Sequence, residues 1–221
     1  MRFKLKVLTV IFLSSFLGSC NAQKSKIKKE MSFNSVEEQA KKIKKHHQAL
    51  LKETGEEKLK EERLFFEAFP NSFDKMQKLF GFDNKNGAGP LYDYEISNDM
   101  ELKGVISTFS ELTGINKKDY YTKYINICVN GNWKGDNIAE GFGLDNKLYR
   151  QTEDVIEVLR LRSKKEIRSV FRFLFDGPHP DNRMESFKNL HDKIKSVDSS
   201  MAKLLKQEYE KLLEEDDGHG H

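Results

Sequence analysis

The sequence predicts an all-α fold: one compact multi-helix domain of about eight or nine helices, behind a cleaved leader and a flexible tether. Three observations predict it. Apolar residues recur at three- and four-residue spacing along most of the chain, the period of a helix with one buried face. Capping residues and Gly or Pro breaks punctuate those stripes at helical intervals. Only one segment, Ile125 to Val129, alternates as a strand would, and a lone strand has no partner. The expected divisions are 1–19 for the leader, 20–34 for a lysine-rich tether beginning at Cys20, 35–215 for the helical domain and 216–221 for a polar tail without structure.

Ser35 followed by Glu38 forms a capping-box pattern, and Val36, Ala40, Ile43, His47, Leu50 and Leu51 continue it as the first helix. Gly55 interrupts the stripe. A second runs through Leu59, Leu64, Phe65, Phe66 and Phe69 until Pro70, which cannot donate the backbone hydrogen bond. Asn71 or Ser72 caps a third carrying Phe73, Met76, Leu79 and Phe80, with Gly81 at its end. Phe82 to Pro90 reads as a loop, and Leu91 to Tyr94 leads into a helix from near Asn98 to Thr113. Asn116 caps a helix through Tyr121, Tyr124, Ile125 and Cys128. The strand alternative stays open for its last residues, although the upstream period favours helix.

After the loop Asn130 to Gly135, Asp136 is expected to cap a short helix over Ile138, Ala139 and Phe142. Asp145 is expected to open a longer one reaching Leu161. Ser163 and Glu166 form a second capping box before Ile167, Val170, Phe171 and Leu174. Asp176 to Pro180 breaks the chain. Phe187, Leu190, Ile194, Val197, Met201 and Leu204 then form a heptad seam, compatible with one long helix or two stacked ones. The sixteen Phe residues fall mostly on these stripes and are assigned to the core.

The leader carries the most specific pattern. Arg2, Lys4 and Lys6 precede an apolar run from Val7 to Leu17, too short to span a bilayer, and small residues follow. Leu17-Gly18-Ser19-Cys20 resembles the lipobox of bacterial lipoproteins. That resemblance implies cleavage before Cys20, acylation of its sulfur, and a chain held at an envelope membrane, with the outer membrane facing the periplasm as the expected place. Two or three acyl chains anchor stably where one does not. Lys24, Lys26, Lys28 and Lys29 follow as a solvated tether.

The leader's three basic residues account for the whole formal charge of +3. The remainder is formally neutral, which argues against nucleic acid as a partner. Beyond Cys20 the sole thiol is Cys128, among Tyr124, Ile125, Ile127 and Val129, and it reads as a small buried hydrophobe.

No motif for catalysis, cofactor or metal stands out. His46 and His47 are adjacent, about 100° apart on a helix, and cannot chelate one ion from one face. His191 lies on the heptad seam and reads as a packing residue. Asp216 to His221 is a weak metal-binding composition at most. Gly87-Ala88-Gly89 and Gly131 to Gly135 lack the flanks of a phosphate loop. Arg168 and Arg172, four apart on one face, can grip a carboxylate or phosphate. Salt bridges to Glu153, Asp154 or Glu157 are the expected use. Three loops are candidate recognition surfaces: Phe82 to Tyr94, Asn130 to Asp136 and Asp176 to Asn182. They supply Tyr92, Trp133, Asp136 and His179, and with Arg168 and Arg172 these are the candidate partner-binding residues. For Trp133, the single Trp, a core role is the favoured reading over a binding one.

Phe65-Phe66-Glu67-Ala68-Phe69-Pro70-Asn71-Ser72-Phe73, then Leu79-Phe80-Gly81, Pro90-Leu91-Tyr92, Gly131-Asn132-Trp133 and Asp136 are similar to a group of uncharacterised Bacteroidetes proteins found in toxin-neutralising neighbourhoods. The resemblance implies shared packing and turns and assigns no functional residue. The expected function is therefore a non-enzymatic binding lipoprotein, most concretely an immunity-type protein capturing a toxin in the periplasm. The alternatives are an envelope enzyme acting on lipid or wall material through distant acids and His179 or His191, and a structural lipoprotein pairing through the Phe187 to Leu204 seam.

Overall fold

The computed structural model describes residues 32–101, 103–177 and 183–215, and these form an all-α domain with one small hairpin. The leader, Cys20, the tether as far as residue 31, His179 and the 216–221 tail lie outside the described residues; the tether's last residues are ordered against α1, where Phe33 packs on the core and Asn34 N donates to Glu38 Oε2 at 3.0 Å. In chain order the elements are α1 (Val36–Leu50), α2 (Gly55–Ala68), α3 (Phe73–Phe80), β1 (Phe82–Asp83), β2 (Gly87–Ala88), α4 (Tyr92–Glu101), α5 (Val105–Ser110) and α6 (Lys117–Cys128). A turn at Glu140–Gly143 follows, then α7 (Leu144–Arg150), α8 (Thr152–Leu159), α9 (Lys164–Phe173), α10 (Arg183–Val197) and α11 (Ser199–Glu215).

Helix starts encoded by neighbouring residues form as expected. Ser35 accepts from Glu38 N at 3.1 Å, Ser72 from Lys75 N at 3.4 Å, and Asn116 from Lys118 N at 3.0 Å. At α9 the full capping box closes: Ser163 N donates to Glu166 Oε2 at 2.9 Å and Glu166 N to Ser163 Oγ at 3.3 Å. The Ile125 to Val129 ambiguity resolves as helix through Cys128, with Ile125, Ile127 and Cys128 all buried.

Four expectations are corrected, and one alternative left open is decided. The loop after Gly81 contains a hairpin, with Phe82 opposite Ala88 and Asp83 opposite Gly87. The helix expected from Asn98 to Thr113 begins earlier and divides into α4 and α5. The division is set from a distance: buried Glu95 on α4 accepts from Val105 N at 2.6 Å and Ile106 N at 3.2 Å, satisfying the open donors at the start of α5. Asp136 caps no helix; its Oδ1 accepts from Ile138 N at 3.0 Å in a local turn. The long helix from Asp145 breaks at Gln151 (φ −134°, ψ 47°), whose side chain accepts the Tyr121 hydroxyl, and Leu161 ends up 68% exposed. Of the two arrangements open for the heptad seam, the stacked pair forms: the chain folds back at Asp198, which accepts from Ser200 N at 3.0 Å and Met201 N at 3.1 Å, so α10 and α11 pack on each other. The seam is then satisfied internally: the Phe187 and Tyr209 rings stack at 4.1 Å, with Phe175 of the α9 end at 5.1 Å from Tyr209.

The core is an aromatic column. Phe69 stacks on Phe109 at 4.0 Å, Phe109 lies 5.3 Å from Tyr124, and Tyr124 stacks on Phe142 at 4.5 Å. Its hydroxyls are satisfied by carbonyls: Tyr120 donates to Phe109 O at 3.0 Å and Tyr124 to Phe142 O at 2.8 Å. Polar groups pinned inside include His47, fully buried, with Nδ1 3.1 Å from the Tyr94 hydroxyl and Nε2 3.1 Å from Thr108 Oγ1. Glu62, also buried, accepts from Gly114 N at 2.6 Å and Thr113 N at 3.3 Å, fixing the link into α6.

Candidate functional site

The hairpin is anchored by backbone. Gly89 N donates to Gly81 O and Leu91 N to Leu79 O, each at 2.9 Å. At its tip Asp83 Oδ1 accepts from Lys85 N at 2.6 Å and Asn86 N at 3.0 Å, and these bonds hold the carboxyl below its ordinary range, with Lys134 and Lys85 adding to the effect. Phe82 is 43% exposed, and its ring lies 6.0 Å from half-buried Tyr92.

The 130–137 loop is tied at three points to the helices that flank this hairpin, α3 and the start of α4. Gln77 Nε2, from α3, donates to Asp136 Oδ2 at 2.5 Å. Asn137 Nδ2 donates to Phe80 O at 3.2 Å and Tyr92 O at 3.3 Å. The loop's other end is set on α9: Asn130 N donates to Ser169 Oγ at 3.1 Å, and a Cβ on Gly131 would come within 2.3 Å of the Phe173 ring. The 176–177 segment joins through Asp176, whose Oδ2 accepts from Trp133 N at 2.9 Å and whose carbonyl accepts from Glu140 N at 2.9 Å. Three loops far apart in sequence thus form one surface carrying Phe82, Tyr92, Trp133, Lys134 and Asp136.

Beside it lies a left-handed turn. Glu140, Gly141, Phe142 and Gly143 have φ of 52°, 61°, 40° and 89°. Left-handed backbone costs an L-residue about 1–2 kcal/mol, so Glu140 and Phe142 are strained. The surroundings impose it: Phe142 is buried against Tyr124, and Cys128 Sγ donates to Gly141 O at 3.6 Å. The turn borders a cavity of about 410 Å³ lined by Glu140, Asp145, Asn146 and Tyr149 and, from α10, Ser186 and Asn189. Burial pushes the Asp145 carboxyl up from its ordinary value, against the lowering effect of backbone N–H groups at the start of α7. Among the described residues no group of three or more His, Cys, Asp or Glu is placed to hold a metal.

The predicted residues therefore separate. Tyr92, Trp133 and Asp136 come together, and Trp133 is half-buried at the surface rather than in the core. Arg168 and Arg172 do not join them. They are engaged within the chain, on α11 rather than on the expected Glu153, Asp154 or Glu157: Arg168 donates to Glu208 and to Gln207, the latter at 2.6 Å, and Arg172 donates to Glu215. Asp154 pairs instead with Lys117 at 2.7 Å. Phe82 and Asp176 lie inside the predicted loops without being singled out there, and Gln77 and Asn137 lie outside them. Gly141-Phe142-Gly143 was the available pointer to the left-handed turn.

Comparison with protein families, with characterised proteins and with solved structures finds no match for this chain.

Proposed function

We propose that the chain is an envelope lipoprotein, acylated at Cys20, that binds another protein without chemistry, as an immunity-type protein capturing a toxin in the periplasm. The observation that carries the reading is the cross-tied surface of the three loops. Hydrogen bonds from Gln77, Asn137 and Trp133 fix these loops before any partner arrives, so little ordering entropy is lost on binding. The surface offers aromatic residues beside charged ones, the composition of residues that dominate binding energy. The leader pattern supports the location, and the similarity of Phe65 to Asp136 to proteins of toxin-neutralising neighbourhoods supports the partner class.

Two measurements test it. Mass spectrometry of the membrane-extracted protein is expected to find an acylated amino terminus at Cys20, and Cys20→Ala is expected to leave the membrane fraction. Cells expressing the full chain are expected to survive the toxin encoded beside its gene, and survival is expected to fall with Cys20→Ala. An unacylated chain starting at Met1, or no protection against any neighbouring product, overturns the reading.

A second reading, an envelope enzyme, draws on the cavity where Asp145 is raised by burial beside Glu140. It requires an Asp145→Asn variant that folds normally and loses turnover of a lipid or wall substrate that the wild type processes.

A further inference from the structure

The chain contains two Asn-Gly sequences, Asn86-Gly87 and Asn130-Gly131, and the fold treats them oppositely. Asn-Gly is the dipeptide in which a backbone nitrogen most readily reaches the preceding side-chain amide, because Gly offers no Cβ to block the approach. The reaction still needs a backbone free to bend into a five-membered ring.

Asn130-Gly131 is held away from that geometry. Asn130 sits in the left-handed region at φ 57°, and its N–H is bonded to Ser169 Oγ at 3.1 Å. The would-be nucleophile, Gly131 N, donates to Cys128 O at 3.0 Å. Gly131 is buried, with Phe173 so close that even a Cβ would sit 2.3 Å from the ring. Ring closure there requires the loop to leave α9.

Asn86-Gly87 is at the tip of the hairpin. Both residues are exposed, and a Cβ on Gly87 would meet nothing within 4 Å. The Asn86 backbone N–H is bonded to Asp83 Oδ1, but among the described residues its side-chain amide makes no hydrogen bond. Gly87 pairs with Asp83 across the ladder, but each strand has only two residues, and so short a hairpin opens locally at small cost.

From this contrast we infer that Asn86 is a spontaneous deamidation site that alters the hairpin tip, while Asn130 is protected by the fold. Gly87 N attacks Asn86 Cγ. The N–Cγ bond forms, the Cγ–Nδ2 bond breaks, and ammonia leaves carrying the proton lost from Gly87 N. Water then opens the succinimide at either carbonyl, giving aspartate or isoaspartate. Either product places a new carboxylate inside the turn, on the residue whose own N–H donates to Asp83 Oδ1. Isoaspartate also inserts a backbone methylene into the turn that sets the register of Phe82 opposite Ala88. If the three-loop surface is the recognition face, the change ages that face; the chemistry itself does not depend on that reading.

The test is peptide mapping by mass spectrometry of the full chain incubated in warm neutral buffer, with synthetic isoaspartyl peptides as standards. Asn86 is expected to convert at least about tenfold faster than Asn130 in the native protein, the factor a modest difference in local opening supplies. The two are expected to converge in urea, where both segments are unfolded. Asn86→Gln, which would need a slower six-membered closure, is expected to abolish the acidic species seen on isoelectric focusing. Native conversion at Asn130 equal to that at Asn86, or no conversion at Asn86, overturns the inference.

Discussion

Gln77 and Asp136, fifty-nine residues apart, meet through a hydrogen bond of 2.5 Å that joins the end of α3 to the 130–137 loop. The other atom of that amide, Gln77 Oε1, is buried with no partner among the described residues. The pair therefore ties the 130–137 loop to α3 through an amide that has no other side-chain partner.

Asp136→Ala strips Gln77 of its one side-chain bond and Ile138 N of its acceptor. We expect a loss of about 1–3 kcal/mol, the range for leaving buried polar groups unsatisfied. Asp136→Asn keeps an acceptor and is expected to lose less. Urea unfolding measures both, and hydrogen exchange across 130–138 should quicken in the alanine variant. Equal stability of the two variants would show that the bond is not the tie described.

Gly131→Ala is a steric test of how the loop seats on α9. Its Cβ would collide with Phe173, a buried ring that also meets Phe73 edge-on at 5.4 Å. Overpacking of this kind costs about 1–3 kcal/mol. Thermal unfolding should show the loss, and a paired Phe173→Leu should recover part of it.

Arg168→Ala separates structure from recognition. It leaves the Glu208 carboxylate, only 6% exposed, without its guanidinium. Removal of one partner from a fully buried pair costs several kcal/mol; Arg168 is about one-third exposed, so solvent reduces the expected loss to about 1–2 kcal/mol. Partner affinity measured well below the melting temperature should not change. A variant of native stability with weakened binding would return Arg168 to the recognition surface.

The pH dependence has a defined sign. Burial holds His47 below its ordinary value near 6.5, so the folded state refuses a proton that the unfolded chain accepts. Stability is lost as pH falls below about 6.5 and continues to fall until the folded pKa is reached. Asp198, held near 2 by the Ser200 hydroxyl, Met201 N and Arg160, loses its contribution only at much lower pH, between its unfolded value of 3.8 and about 2. Asp145, raised by burial, acts in the opposite sense. The His47 contribution is therefore read by difference: between about pH 7 and pH 5, urea midpoints should fall more for the wild type than for His47→Gln. Parallel profiles would contradict it.

What was legible in the sequence was local. Ser35, Ser72, Asn116 and Ser163 sit within three residues of the amides they cap, and the stripes behind them gave the helices and most of the core. The breaks that were missed have distant causes. Glu95 caps α5 from ten residues away, and Tyr121 takes the side chain of Gln151 thirty residues on. The heptad seam was real, but period alone does not distinguish a straight helix from one that folds back on Asp198. For the site, turn chemistry located the loop carrying Trp133 and Asp136 and the one that leads into α4 at Tyr92. Their convergence depends on Gln77, Asn137 and Asp176, whose roles exist only once the chain is folded.

We propose the surface bearing Phe82, Tyr92 and Trp133 as the place where another protein binds. Isothermal titration calorimetry of the full chain against the proteins encoded beside its gene decides this. Saturable binding of one of them by the wild type is expected, with a loss of about 2 kcal/mol or more, roughly thirtyfold in affinity, for the Phe82→Ala, Trp133→Ala double variant at unchanged fold. Wild-type affinity retained by that folded variant would contradict it.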